Sequence, residues 1–176
     1  MALAAAAPIA SMGMWRWAMV SLAGLALVLG ACSGGGSSSS QPLADTFPRL
    51  DGTTAGFADY RGTPVVVNFF SSTCVPCLTE MPALEQVHQQ LGSQVRFLGM
   101  NGQDTVESGK AIVATTGVTW DIGRDPDLAI LQRLGGIGLP TTYLLDRNGR
   151  VVFSHTGKLT SDDLRNALRD KKLITR

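Results

Sequence analysis

The segment Pro64-Val-Val-Val-Asn-Phe-Phe70 carries no charge and a single polar side chain, Asn68. A strand exposed on one face alternates apolar and polar residues. This one does not, so it reads as a strand covered on both faces. Helices packed on both sides of a sheet supply such cover, which commits the chain to an α/β architecture with this strand near its centre.

The flanking sequence fits that plan. Residues 47–50, a turn at Asp51-Gly52 and residues 54–57 suggest a small hairpin, and residues 95–100, 118–122, 141–145 and 151–154 read as further extended segments. Asp146-Arg-Asn-Gly149 is the turn between the last two. A helix is expected from near Cys74 to Leu91, with Leu78, Met81, Leu84, Val87 and Leu91 along its apolar face, a kink at Pro82 and a stop at Gly92. Residues 105–116 form a second helix, weakened by Gly109. Asp125-Pro126 reads as an N-cap and first helical residue opening a third, to about Leu134. The last helix starts near Thr160 or Ser161, with Asp162 and Asp163 in its first turn. Trp120 reads as a packing residue and His88 as a surface or boundary residue.

The chain has 176 residues, and its ordered part begins late. Residues 17–31, WAMVSLAGLALVLGA, follow Arg16 and contain no charge. That matches the apolar core of a signal peptide and falls short of the roughly 20 residues of a membrane span. Residues 1–13 are uncharged, unlike a signal-peptide start, so translation is expected to begin at Met12 or Met14. Leu29-Gly30-Ala31-Cys32 resembles a bacterial lipobox, which implies cleavage before Cys32 and a lipid on its thiol. The next residues, SGGGSSSSQP, form a flexible linker spanning about 17 Å root-mean-square. The expected organisation is a signal peptide over 1–31, a lipidated cysteine and linker over 32–44, and one domain over 45–176. A formal net charge of +1 with no basic cluster beyond Lys171-Lys172 argues against nucleic acid as a partner.

With Cys32 assigned to lipid, Cys74 and Cys77 remain, as C-x-x-C just after the central strand. Such a pair can be a redox-active dithiol, half of a metal site or a structural disulfide. A cysteine where a strand ends and a helix begins meets unpaired N–H groups and the positive end of the helix dipole, and both favour its thiolate. Cys74 has that position. Cys77, one turn further in, should be more buried and act as the resolving thiol. Pro76 fits the first turn and stiffens the ring. A zinc site needs more ligands, and His88 and His155 lie far off in sequence. A disulfide closing so short a loop restrains the unfolded chain little.

The motif Gly136-Ile-Gly-Leu-Pro-Thr-Thr142 resembles the thioredoxin superfamily, in which a cis proline before the penultimate strand packs beside C-x-x-C. Pro140 matches it. The resemblance implies a thioredoxin-like fold: a central mixed sheet flanked by helices, an N-terminal hairpin and a central inserted segment. It also implies that the Leu139 backbone pairs with an extended substrate.

Over residues 45–172 the chain is similar to membrane-tethered thiol-disulfide oxidoreductases of the ResA, TlpA and DsbE type. The match includes the Val-Val-Asn-Phe strand, Cys74-Val-Pro-Cys77, Glu80-Met-Pro82 and the segment 104–134. Asn68 stands where cytoplasmic thioredoxins carry a buried Asp, and Glu80 matches the family's acid-base glutamate. One departure is Thr73, where the family usually has Trp; its small side chain should open the site and can alter the partner. The peroxiredoxin spacing of Pro and Thr ahead of the reactive cysteine is absent.

The resemblance implies a monomeric enzyme on the extracytoplasmic face, anchored at Cys32, that needs no cofactor. It would exchange thiols with protein disulfides, most readily as a reductase serving cytochrome c maturation with apocytochrome c as substrate. A transmembrane thiol protein would supply electrons. The alternatives are a disulfide-forming oxidase and a Cu(I)-binding assembly module using Cys74 and Cys77.

Overall fold

The computed structural model describes residues 43–175. A hairpin of β1 (Thr46–Pro48) and β2 (Thr54–Gly56) leads through a 3₁₀ turn, Phe57–Tyr60, to β3 (Val65–Phe70) and α1 (Val75–Leu91). Then follow β4 (Arg96–Gly102), α2 (Val106–Thr116), β5 (Asp121–Asp125), α3 (Ala129–Arg133), β6 (Thr141–Leu145), β7 (Val151–Thr156) and α4 (Ser161–Asp170). The main sheet has the order β5-β4-β3-β6-β7, with β3, β4 and β5 parallel and β6 and β7 antiparallel to their neighbours. All six residues of β3 are buried.

Two apolar clusters cover the sheet. One gathers Val66, Phe70, Cys77, Met81 and Leu84 with Leu164 and Leu168 of α4; the other gathers Phe47, Phe57, Val65, Val67, Phe69, Met100 and Tyr143. Alternate β3 residues thus feed opposite layers, as a strand covered on both faces must. Helix ends follow local chemistry. Thr105 caps α2 by accepting from Ser108 N–H at 3.1 Å, and Gly117 closes it in the left-handed conformation. Thr160 and Asp163 form a reciprocal capping box on α4.

Several expectations change. Leu78 points outward, and Cys77, Glu80, Met81, Leu84 and Val87 form the inner stripe of α1. The extended segment expected from residue 118 starts at Asp121, because Val118 and Trp120 turn into the core ahead of it. Trp120 stacks on Phe97 at 5.5 Å, with the half-buried His88 edge-on at 5.9 Å. Gly109 is a packing requirement: a Cβ there would meet Asn101 Oδ1 at 2.5 Å. Asp125 ends β5 instead of opening a helix in place, yet its buried carboxylate accepts the N–H groups of Ile130 and Leu131 at 3.2 and 3.0 Å. It caps α3 from a distance, because Pro126 and Asp127 make a turn first.

The hairpin is fastened to the sheet by charge. Asp121 accepts from Tyr60 Oη at 2.9 Å and pairs with Arg49 and Arg96, each at 3.2 Å. Arg96 also lies over the Tyr60 ring, 4.0 Å from its centroid. Burial and the Asp121 acceptor raise the Tyr60 phenol well above its ordinary value. Asp121→Asn leaves one neutral acceptor for three donors. It is expected to lower stability in urea titrations by about 1–2 kcal/mol, with most of the deficit gone at high salt; an unchanged midpoint would show that the hairpin is held by its apolar residues alone.

Candidate active site

The loop between β3 and α1 sets where α1 begins. Ser72 donates through both its N–H and its hydroxyl to the Asp104 carboxylate, at 2.7 and 2.6 Å. That carboxylate also accepts the Asn101 side-chain amide at 2.6 Å, and the Asp104 carbonyl accepts from Arg124 at 2.9 Å. Residues of β4, the β4–α2 loop and β5 therefore hold one loop residue. The Cys74 N–H donates to the Ser71 carbonyl at 3.2 Å, and the exposed Thr73 shares a hydroxyl contact with Ser71 at 3.3 Å. Asp104 is the site residue that sequence reasoning missed, since nothing in its spacing ties it to the cysteines thirty residues earlier.

Cys74 occupies the N-cap of α1, and its carbonyl accepts from Cys77 N–H at 3.0 Å and Leu78 N–H at 3.4 Å. The two cysteines form a disulfide, with S–S 1.98 Å and Cα–Cα 5.3 Å. Cys74 is half-buried and Cys77 fully buried, so an incoming group meets Cys74 first. Pro76 is exposed in the first turn, where a missing N–H costs nothing.

Glu80 is also fully buried. Its Oε1 accepts from Leu159 N–H at 2.9 Å, and its Oε2 from Asn68 Nδ2 at 3.1 Å. Asn68 gives its other amide hydrogen to Thr142 Oγ1 at 3.0 Å, leaving Oδ1 without a partner. Asn68 thus supplies one donor to the carboxylate from inside the sheet, one helical turn along from Cys77. Burial pushes the Glu80 carboxyl above its ordinary value, with the bonds from Leu159 and Asn68 and the charge of Lys158 pulling part of the way back.

The Leu139–Pro140 peptide bond is cis. Thr141 pairs with Phe69, so residues 136–140 arrive at the end of the sheet where the β3–α1 loop lies. Leu139 packs against the cluster that contains Cys77. Three large apolar side chains stay exposed here: Val75 at 72%, Leu78 at 36% and Ile137 at 92%. Val75 lies between the cysteines, Leu78 follows Cys77 and Ile137 precedes the cis proline. The structure thus brings Thr73, Cys74, Pro76, Cys77, Glu80, Leu139 and Pro140 to one end of the molecule, while Cys32 lies outside the described residues. Among the described residues no group of three or more His, Cys, Asp or Glu could hold a metal ion.

The AhpC/TSA family model matches residues 43–154. The chain is 32% identical over 124 residues to the thiol-disulfide oxidoreductase ResA of Geobacillus thermodenitrificans, covering 70% of this chain and 71% of that one. It is 29% identical over 122 residues to the thioredoxin-like protein YneN of Bacillus subtilis, covering 68% and 71%. Among solved structures it is similar to MTB DsbF, with a TM-score of 0.68 and 25% identity over 73% of this chain and 96% of that one. A DsbF homologue from Corynebacterium diphtheriae gives 0.67 and 28%, over 73% and 85%.

The raised Glu80 carboxyl has a thermodynamic signature. A carboxyl with a higher pKa in the folded than in the unfolded state binds its proton more tightly when folded. Its stabilising effect is complete below the unfolded value, about 4.3, and is lost as pH rises through the folded one. The stability of wild type relative to Glu80→Gln should therefore fall as pH climbs from that value toward neutrality, in denaturant titrations at each pH. A pH-independent difference would mean that the carboxyl titrates normally.

Proposed function

The chain belongs to the AhpC/TSA family and is a thiol-disulfide oxidoreductase, and from that premise we propose that Cys74 and Cys77 are its exchanging pair, working as a reductase of protein disulfides outside the cytoplasm. The observation that carries this reading is the pairing of a half-buried Cys74 at a helix N-terminus with a fully buried Cys77 one turn later. The first can be reached by a substrate and the second only by the first.

In the reducing direction the Cys74 thiolate attacks one sulfur of a substrate disulfide. A mixed disulfide forms, and the other substrate sulfur leaves as a thiolate that takes up a proton. Cys77, deprotonated, then attacks the Cys74 sulfur, closes the ring and releases the second substrate sulfur. Glu80, one turn from Cys77, accepts the Cys77 proton. A carboxyl held above its ordinary range suits that task, because its proton affinity is closer to that of the thiol. Leu139, ahead of the cis Pro140, offers its backbone to the substrate as an added strand. Thr73 and Pro76 line the approach. With Thr73 in place of an indole, docking falls to Val75, Leu78 and Ile137, which suits an extended chain with apolar residues beside its cysteines.

The charge-free residues 17–31 and the sequence Leu29-Gly30-Ala31-Cys32 support export and a lipid anchor on Cys32, with the following linker as tether. Among the described residues no helix is long and apolar enough to cross a membrane. The domain acts as a monomer, receives electrons from a transmembrane thiol protein and passes them to apocytochrome c. The last two assignments rest on resemblance to the ResA type.

Thiol trapping in intact cells, by acid quench and mass-adding alkylation, tests the direction. Wild type is expected to rest with Cys74 and Cys77 reduced, and Cys74→Ser should lose exchange activity by several orders of magnitude. An oxidised resting pair would reverse the assignment to disulfide formation. Ile137→Ser is expected to raise KM for an extended disulfide peptide roughly fivefold, the factor for about 1 kcal/mol, with kcat and reduction potential unchanged. Equal KM values would remove Ile137 from the docking surface.

A further inference from the structure

The end of the sheet opposite the cysteines carries a cluster of arginines that the sequence scatters. Arg61 precedes β3, and Arg147 and Arg150 flank the β6–β7 turn, which register places beside the start of β3 through the Val65–Leu145 pair. The three arginines, with Gly62 and Asn148, line one shallow hollow. All three are exposed, and among the described residues none is in an ion pair. The acid of the same turn, Asp146, turns its Oδ1 to the N–H groups of Asn148 and Arg150 at 2.8 and 2.9 Å, and forms no ion pair with the three arginines. The exposed Lys171 and Lys172 follow α4, whose far end lies at this same end of the sheet, where Thr175 meets Gln94.

The described chain also begins here. Leu43 N–H donates to the Gly149 carbonyl at 2.9 Å, and the Leu43 carbonyl accepts from Arg61 at 3.4 Å. Only ten residues separate Leu43 from Cys32. The cysteine end presents acids instead: Glu107 in the first turn of α2, Asp127 after β5 and Asp163 in the first turn of α4 are all exposed there, as is Lys158. The six-residue β3, about 20 Å long, keeps the two ends apart.

We propose that the end bearing Arg61, Arg147 and Arg150 rests on anionic phospholipid headgroups and holds the cysteine pair away from the bilayer. Basic side chains near an anionic surface are drawn to it over about a Debye length, roughly 10 Å or less. A linker of this length keeps the cluster within reach. The proposal rests in part on the tether at Cys32, which brings the patch to the membrane; the attraction itself comes from the arginines.

The test uses the full chain, reconstituted with vesicles of phosphatidylcholine alone or of an equal mixture with phosphatidylglycerol, and reads arginine modification by phenylglyoxal. Arg61, Arg147 and Arg150 are expected to react at least about fivefold more slowly on the mixed vesicles. Arg133 should react equally on both, and the difference should collapse in molar salt. Equal rates on the two vesicles overturn the proposal, and so does equal slowing on both, which reflects crowding by the tether. Flotation with the neutral vesicles reads the anchor separately. A chain that does not float with them loses the tether assignment, while the labelling comparison still decides the patch.

Discussion

Burial of β3 on both faces forces the rest of the arrangement. Its odd and even side chains must go into two separate apolar layers, and an amide placed among them must find partners inside the sheet. Asn68 does so by donating to Glu80 and Thr142. Glu80 therefore lies under α1 with no solvent exposure, and α1 can approach β3 only in the rotation that turns the Cys77–Glu80–Met81 stripe inward. Cys74, three residues before Cys77, is left at the helix mouth. The contrast in burial between the cysteines thus follows from how the strand is covered.

Asp104 secures the same arrangement from the other side. A loop of four residues between a buried strand and a helix has few ways to satisfy its own backbone. Ser72 solves this with a carboxylate that also holds Asn101 and, through its carbonyl, Arg124. Glu80 and Asp104 have contrasting environments. Glu80 is sealed in the interior with two N–H donors, and burial holds its carboxyl above the ordinary value, whereas Asp104 is half-buried with three donors on its carboxylate.

What could be read from sequence was whatever depends on neighbours along the chain. The uncharged run of β3, the Cys74-Cys77 spacing, the Pro140 motif, the Asp146–Gly149 turn and the acids in the first turn of α4 all carry their structural reason within a few residues. What could not be read depends on the third dimension. Leu78 looks apolar enough for the core, but α1 turns it outward so that Cys77 and Glu80 can face in. Asp125 looks like a local cap and instead reaches past two turn residues. Gly109 looks like a defect in a helix and is the space that Asn101 fills. The arginine cluster joins positions almost ninety residues apart, which only strand register brings together.

At the far side of the sheet, β7 is an edge strand, and among the described residues no further strand pairs with it. Its Val151, Val152 and Phe153 are only partly covered, so its open row of N–H and C=O groups is a template on which another extended chain could add. The charges of Arg150 and Lys158 bracket it, and the exposed Ser154 and Thr156 interrupt its apolar face. These act as gatekeepers against edge-to-edge association. A thiol-disulfide oxidoreductase that meets other proteins at the cysteine end of its sheet has reason to refuse them along the side.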